Sequence, residues 1–324
     1  DGLLLKRHPG DLQPDGAARV KAVLGLDTSN YTTSAAWFDG AQGHNEGRLL
    51  EVQPGRLGLR QSEALFQHVK RLPEIVKGLE QREIQAVGAS TRPREVEGSY
   101  MPCFLAGASF GESMAHVLNV PFYAFSHQQG HLAAAAWSAG RLDLLEQPFL
   151  AWHLSGGTTE LLKVEPEGCS VRAEIIGGAS DLSAGQLIDR AGVLLGLAFP
   201  AGKALDELAQ TEIHSDCYAV KLKNLTFSLS GIENQIKELA ARQKPPAYIA
   251  SFTLNTIAQV VRRATQEAQA RWPGLPVLCS GGVASNRRLR SVLTQAVFAQ
   301  PQFSTDNAMG VAILTHRARK EEFG

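Results

Sequence analysis

Two histidines set four residues apart, His127 and His131 in SHQQGHLAAAAW, are the first candidates for chemistry. They follow an apolar strand-like run, FYAF, and a helix starting near Ser126 would put both imidazoles on one face. Two imidazoles at that spacing can hold one divalent ion. They can equally be two polar residues of an ordinary helix, so a third donor matters. Asp306, in STDNAMG, offers a carboxylate, and one carboxylate joined to two imidazoles suits Fe, Zn or Mn rather than Ca. His153, two residues ahead of an SGG turn, is a further ligand candidate, with a hydrogen-bonded strand histidine as the alternative. An HExxH metalloprotease needs a glutamate after its first histidine. Gln128 stands there, so that chemistry lacks its general base.

Three turns have the composition of phosphate cradles. In LDTSN, Asp27 ends a strand and Thr28, Ser29 and Asn30 form the turn. Hydroxyls and turn amides can receive phosphate oxygens, while a carboxylate there reaches a metal or its water. In LSGGTTE, the residues Ser155, Gly156, Gly157 and Thr158 let the backbone approach a phosphate closely, because glycine has no side chain in the way. In CSGGVASN, a strand runs through Gly281 and Gly282 into a helix, which places amides at a helix N-terminus. Each alone is compatible with an ordinary turn. In this order they resemble the two phosphate loops and the adenosine loop of the actin/heat-shock-chaperone/sugar-kinase superfamily, which implies an α/β fold of two lobes around a nucleotide cleft.

The elements that must position these groups alternate along the chain. Strand–polar turn–strand units lie at 23–40 and 149–164, and helical spacing of apolar residues marks 61–79, 104–118, 187–197 and 250–270. Ser62 and Glu63 read as a helix cap, with Gln61 and His68 as alternative cleft residues. Pro245 and Pro246 separate one helix from the next. This spacing predicts an N-terminal lobe over 21–125 and a C-terminal lobe with the metal and nucleotide loops over 126–324. Residues 1–20 read as an extension without assigned function.

The bulk properties restrict the partners. A chain of 324 residues with 44% hydrophobic content suits two lobes of a globular protein. Lys plus Arg equals Asp plus Glu, 32 against 32, so an RNA partner would need a local basic patch or a helper subunit. Four dispersed cysteines without a CxxC pair point to a reducing, cytoplasmic setting rather than a disulfide framework. No run is long and apolar enough to span a membrane. A homodimer through the N-terminal lobe is compatible with the sequence, though no motif supports it.

With these motifs assembled, the chain resembles the universal tRNA threonylcarbamoyladenosine-forming transferases, once called O-sialoglycoprotein endopeptidases. The resemblance runs from about Val23 onward through LGLDTS, LAGASFGESMAHVLNVPFYAFSHQQGH, LSGGTTELL, LIDRAGVLLGLAFPAGKAL, LTFSLSGIENQ, CSGGVASNRRLR and STDNAMG. It implies a metal held by His127, His131 and Asp306, with His153 at the place of an added ligand in some members. Nucleotide contacts are implied at Ser155, Gly156, Gly157, Thr158, Asp189, Gly202 and Asn286. Threonylcarbamoyl-AMP would sit near the metal and pass its threonylcarbamoyl group to a tRNA adenosine, with helper subunits assisting.

Two departures stand out. The family reads Ser-Cys-Asp-Glu-Thr after its first loop, where this chain reads Ser29-Asn30-Tyr31-Thr32-Thr33, so Tyr31 and Thr32 replace an acidic pair. The family's Gly-Pro-Gly turn is replaced by STRPREVEGSYMPCF. Loss of a general base costs roughly 10²–10⁴ in rate. Within the new segment Arg94, like Arg92, could clamp a carboxylate or phosphate, and Glu97 could take over proton transfer. The expected function is therefore a metal- and nucleotide-dependent carbamoyl transferase, using ATP or an acyl-adenylate, with its acceptor open. The alternative is a catalytically weak ATP-binding scaffold or regulatory paralogue. Arg287, Arg288 and Arg290, after Asn286, would contact nucleotide phosphate or RNA, or form a solvated face.

Overall fold

The computed structural model describes residues 20–29, 31–52 and 59–323. The first half comprises β1 (Lys21–Asp27), β2 (Thr32–Phe38), β3 (Gly43–Leu49), α1 (Gln61–Gly78), β4 (Glu83–Arg92), α2 (Phe104–Leu118), β5 (Phe122–Ser126) and α3 (His127–Ser138). There follow β6 (Phe149–Leu154), β7 (Thr159–Glu167), β8 (Ser170–Ala179), α4 (Ala184–Leu194), α5 (Gly202–Ala209), β9 (Leu222–Lys223), β10 (Thr226–Phe227) and α6 (Ser230–Ala241). Last come α7 (Pro246–Arg271), β11 (Val277–Ser280), α8 (Arg287–Val292), β12 (Val297–Phe298) and α9 (Met309–Phe323).

Two mixed sheets share one plan. In the first, ordered β3-β2-β1-β4-β5, an antiparallel meander continues into parallel β4 and β5. In the second, ordered β12-β11-β6-β7-β8-β10-β9, the meander β6–β8 continues into parallel β11 and β12. Both strand–polar turn–strand units expected from the sequence are therefore the first hairpins of the two sheets.

Strand periodicity divides the core. Leu24, Leu26, Val87 and Ala89 point to the α1/α2 side of the first sheet, while Val23 and Ala86 point to the α3/α9 side. That second cluster also takes in Ala151, Leu162, Val164 and Leu278, so α3 and α9 lie in a core shared by both sheets. The far face of the second sheet, with Leu150, Trp152 and Leu154, packs under α4, α5 and α7. Trp152 is fully buried there, and its indole N–H donates to Thr265 Oγ1 at 2.9 Å.

The chain thus returns to the first sheet at its end. Gly25 of β1 lies against the backbone of α9 at Ala308 and Ala312, with no room for a side chain. The helices expected at 61–79 and 104–118 are α1 and α2. Pro246 occupies the first turn of α7, where its missing N–H costs nothing. Ser62 does not cap α1: the cap position is Arg60, without a side-chain hydrogen bond, and Glu63 sits in the first turn. None of the described helices is long and apolar enough to cross a membrane.

Candidate functional site

The start of α3 is set by a reciprocal cap. Ser126 Oγ accepts from the Gln129 N–H at 3.3 Å, and the Gln129 side chain accepts from the Ser126 N–H at 2.8 Å. This fixes the first turn of the helix, on which His127 and then His131 project one turn apart. Asp306 precedes α9 and reaches the same place because α3 and α9 cross at two glycines. A side chain on Gly310 would run into the carbonyl of Gly130, so glycine at 310 lets the two helices meet closely there.

The three side chains converge. His127 Nε2 and His131 Nε2 are 2.8 Å apart, and Asp306 Oδ1 lies 3.5 Å from the first and 3.3 Å from the second. Ligand atoms bonded at about 2.0–2.2 Å to a tetrahedral ion stand about 3.4 Å from one another. Among the described residues this is the one group of three or more such donors that could hold a metal ion. The donor set fits a first-row transition ion better than Ca.

Asp27 completes the arrangement from behind. Its Oδ2 lies 2.8 Å from His127 Nδ1, and its Oδ1 accepts from the Ser29 N–H at 2.9 Å. With Nδ1–H directed at the carboxylate, the neutral form of His127 presents its Nε2 lone pair on the side of His131 and Asp306. Burial alone would lower the His127 pKa, but the charges and hydrogen bonds of Asp27 and Asp306 outweigh it and raise it to about 10. Burial would raise Asp27 and Asp306, and the histidines hold both below the usual carboxylate range. Metal and proton therefore compete for His127.

His153 lines the same cavity, of about 350 Å³, but is not one of the three convergent donors. Its ring centroid is 5.5 Å from that of His131, and its Nδ1 lies 3.5 Å from Ser280 Oγ. Burial, then the neighbouring His131 and His127, pull its pKa down to about 3, leaving a neutral imidazole on the wall.

Of the pair expected to replace the lost acids, only Arg94 enters this cavity. Gly98 adopts a positive φ of 75° and turns the loop, while the Arg94 N–H donates to Ser99 Oγ at 3.0 Å. Glu97 is left exposed on the outside of that turn and lines no part of the cavity. The carboxylate that Arg94 meets is Glu160, at 2.7 Å. Sequence reading passed over Glu160, although its place was available from strand pairing: across the SGGT turn it faces His153.

A second cavity, of about 550 Å³, lies on the other side of the SGGT loop and gathers Gly156, Asp189, Gly202, Gly282, Asn286 and Asp206. Gly185 in α4 packs directly on the loop, since a Cβ there would come within 2.5 Å of Gly156 Cα and Ser155 O. Gly156, Gly157, Gly202 and Gly282 have open space where a side chain would stand. The loop is tightened by Ser155 Oγ, which accepts from the Thr158 N–H at 3.0 Å. Asp189 accepts from the Ala201 N–H at 2.8 Å, and Asn286 both caps α8 and donates to Asp206 Oδ1 at 2.7 Å. Asp206, unforeseen from the sequence, has its pKa raised by burial in this cavity. Gly281, with φ of 95°, makes the turn at the end of β11 but does not line the cavity.

The first turn behaves differently from its sequence reading. Thr28 is fully buried, its hydroxyl donating to Cys103 O at 3.0 Å and accepting from the Gly107 N–H at 3.1 Å. It joins the turn to α2 and is not free to meet a phosphate. Ser29 is equally buried, and neither residue lines either cavity. Asn30 lies outside the described residues. Of the arginines after Asn286, Arg287 reaches Asp206 at 3.5 Å and Arg290 stacks on Phe298.

Similarity to known proteins agrees with this architecture. Residues 58–313 match the family described as tRNA N6-adenosine threonylcarbamoyltransferase. The proteins of that name from Thermus thermophilus and Granulibacter bethesdensis are 32% and 31% identical to the chain. The first match covers 94% of both chains, the second 90% of this chain and 86% of the relative. Among solved structures, full-length HypF in a phosphate- and nucleotide-bound form superimposes with a TM-score of 0.60 at 14% identity, covering 95% of this chain and 47% of HypF. The activator of 2-hydroxyisocaproyl-CoA dehydratase from Clostridium difficile gives a TM-score of 0.51 at 13% identity, covering 93% and 97%. These likenesses show that the two-sheet mixed α/β fold is shared with those proteins. With the family match over residues 58–313 and a relative 32% identical over 94% of the chain, the chain belongs to the tRNA N6-adenosine threonylcarbamoyltransferase family.

Proposed function

We propose that the protein is a metal- and nucleotide-dependent carbamoyl transferase that takes an acyl-adenylate of the threonylcarbamoyl class. One observation supports this above the others: the SGGT loop is a common wall. Ser155, Gly157 and Thr158 face the histidine cavity, and Gly156 faces the glycine-lined one. An adenylate with its phosphate at the loop would place its nucleoside beside Asp189, Gly202 and Gly282 and its acyl group beside His127, His131 and Asp306.

In this reading His127, His131 and Asp306 hold the metal, which when bound supplies polarisation of the carbamoyl carbonyl. Asp27 keeps His127 oriented. The open backbone of Gly156 and Gly157 admits the phosphate that leaves as AMP. Ala151 and Leu162, on the α3/α9 side of the second sheet, give the acyl cavity an apolar floor.

The acceptor to test first is the adenosine of unmodified tRNA in the cytoplasm. An even charge balance suits RNA contacts borrowed from helper subunits. Purified, metal-loaded protein incubated with threonylcarbamoyl-AMP and tRNA should release AMP and yield modified adenosine, read by mass spectrometry of the digested RNA. A second reading, a weakly active ATP-binding scaffold, is favoured by Tyr31 and Thr32 in place of the acidic pair. Tight ATP binding with neither AMP release nor modified adenosine would select it and overturn the transferase reading.

A further inference from the structure

We infer that Arg94 is the residue that recognises a free carboxylate on the transferred group, so that the site takes ureido acids rather than neutral carbamoyl donors. The inference rests on the acyl cavity assigned above. Arg94 is the one Arg or Lys among the described residues lining that cavity. Its position is set from both sides: the preceding Pro93 O accepts from the Gln128 N–H at 3.0 Å, next to His127, and its own N–H donates to Ser99. The backbone that carries Arg94 is therefore tied to the first turn of the helix that carries the two histidines.

Its side chain is incompletely used. Among the described residues it makes a single hydrogen bond, from Nη2 to Glu160 Oε1 at 2.7 Å, out of five donors on a planar fork. The side chain is 38% exposed and Glu160 21%, so the pair sits at the rim with donors still open. Glu160 fixes the plane of the fork, and the remaining edge suits a carboxylate bidentately. A neutral carbamoyl group offers that edge no anion. The leaving phosphate is the rival anion, but it has the SGGT backbone and lies toward the second cavity.

Isothermal titration separates these sources without requiring turnover. The ligands are N-carbamoyl-threonine, its carboxamide, AMP and adenosine, titrated into the full chain and its Arg94→Gln and Arg94→Lys variants. Wild type should favour the acid over the amide by about 10- to 100-fold. Arg94→Gln should abolish that ratio, Arg94→Lys should restore part of it, and the AMP-to-adenosine ratio should stay unchanged. Loss of the AMP-to-adenosine ratio in Arg94→Gln would assign the guanidinium to phosphate and overturn the inference. An acid preference that survives Arg94→Gln but disappears after EDTA treatment would assign recognition to the metal, with the same consequence. Absence of any acid preference in wild type would also overturn it. Failure of AMP to bind at all would instead remove the adenylate reading of the site and leave the acid-to-amide ratio standing as measured.

Discussion

Asp27 Oδ2 and His127 Nδ1 meet at 2.8 Å across 100 residues of chain, joining the end of the first strand to the start of the helix that carries the histidine pair. The carboxylate is 1% exposed and the imidazole 19%, so the contact is made away from solvent. A carboxylate on the far nitrogen of a ligating histidine fixes its tautomer and raises its basicity. The turn that reads as a phosphate loop thus serves the histidine side of the site.

Replacing Asp27 by Asn should keep the shape and remove the charge. Metal affinity should fall about 10- to 100-fold, measured by competition with a chromophoric chelator. His127→Ala should lose the metal altogether, while unchanged metal content in that variant would sink the assigned centre.

The metal-free protein should show a definite pH dependence. His127 has its folded pKa raised to about 10, so its contribution is fully present below its unfolded value near 6.5 and is lost as pH rises toward 10. Asp27 and Asp306 have lowered values; their contribution is present above about 3.8 and is lost as pH falls below it. His153, held neutral by a pKa lowered to about 3, adds stability as pH rises to about 6.5, so urea titrations in EDTA should give a maximum near pH 6.5. The decline on the alkaline side should disappear in His127→Gln. Metal binding should tighten as pH rises, because the metal displaces the His127 proton.

Gly310→Ala tests the helix crossing. Its added methyl meets the Gly130 carbonyl, so a loss of about 1–3 kcal/mol is expected, together with weaker metal binding as Asp306 is pushed from the histidines. Thermal melts and metal analysis report the two effects. Retention of both at wild-type levels would show that the crossing does not set the metal geometry.

Gly282→Val should behave in the opposite way. No atom lies within 4 Å of its would-be Cβ and the position lines the second cavity. Stability should stay within about 0.5 kcal/mol, while AMP affinity should drop about tenfold or more. Equal affinity in the variant would place the nucleotide elsewhere.

Glu97→Gln should leave activity within about twofold of wild type, since the side chain is exposed and lines no part of the acyl cavity. A fall of about 10²-fold would restore it as the replacement acid.

Much of this protein was determined by local sequence. The alternation of strand and helix, the two hairpin turns and the spacing of His127 and His131 on one helical face are short-range properties, set by periodicity and turn chemistry. What tertiary structure alone decided is which distant groups meet. Asp306 joins the histidines because Gly130 and Gly310 let two helices touch. Thr28 turns inward because α2 offers it a carbonyl and an amide. Arg94 finds Glu160 rather than working with Glu97 because Gly98 turns its loop and strand pairing sets Glu160 across from His153. Contacts of this kind depend on packing between elements far apart in the chain, and no local pattern of residue types encodes the distance between them.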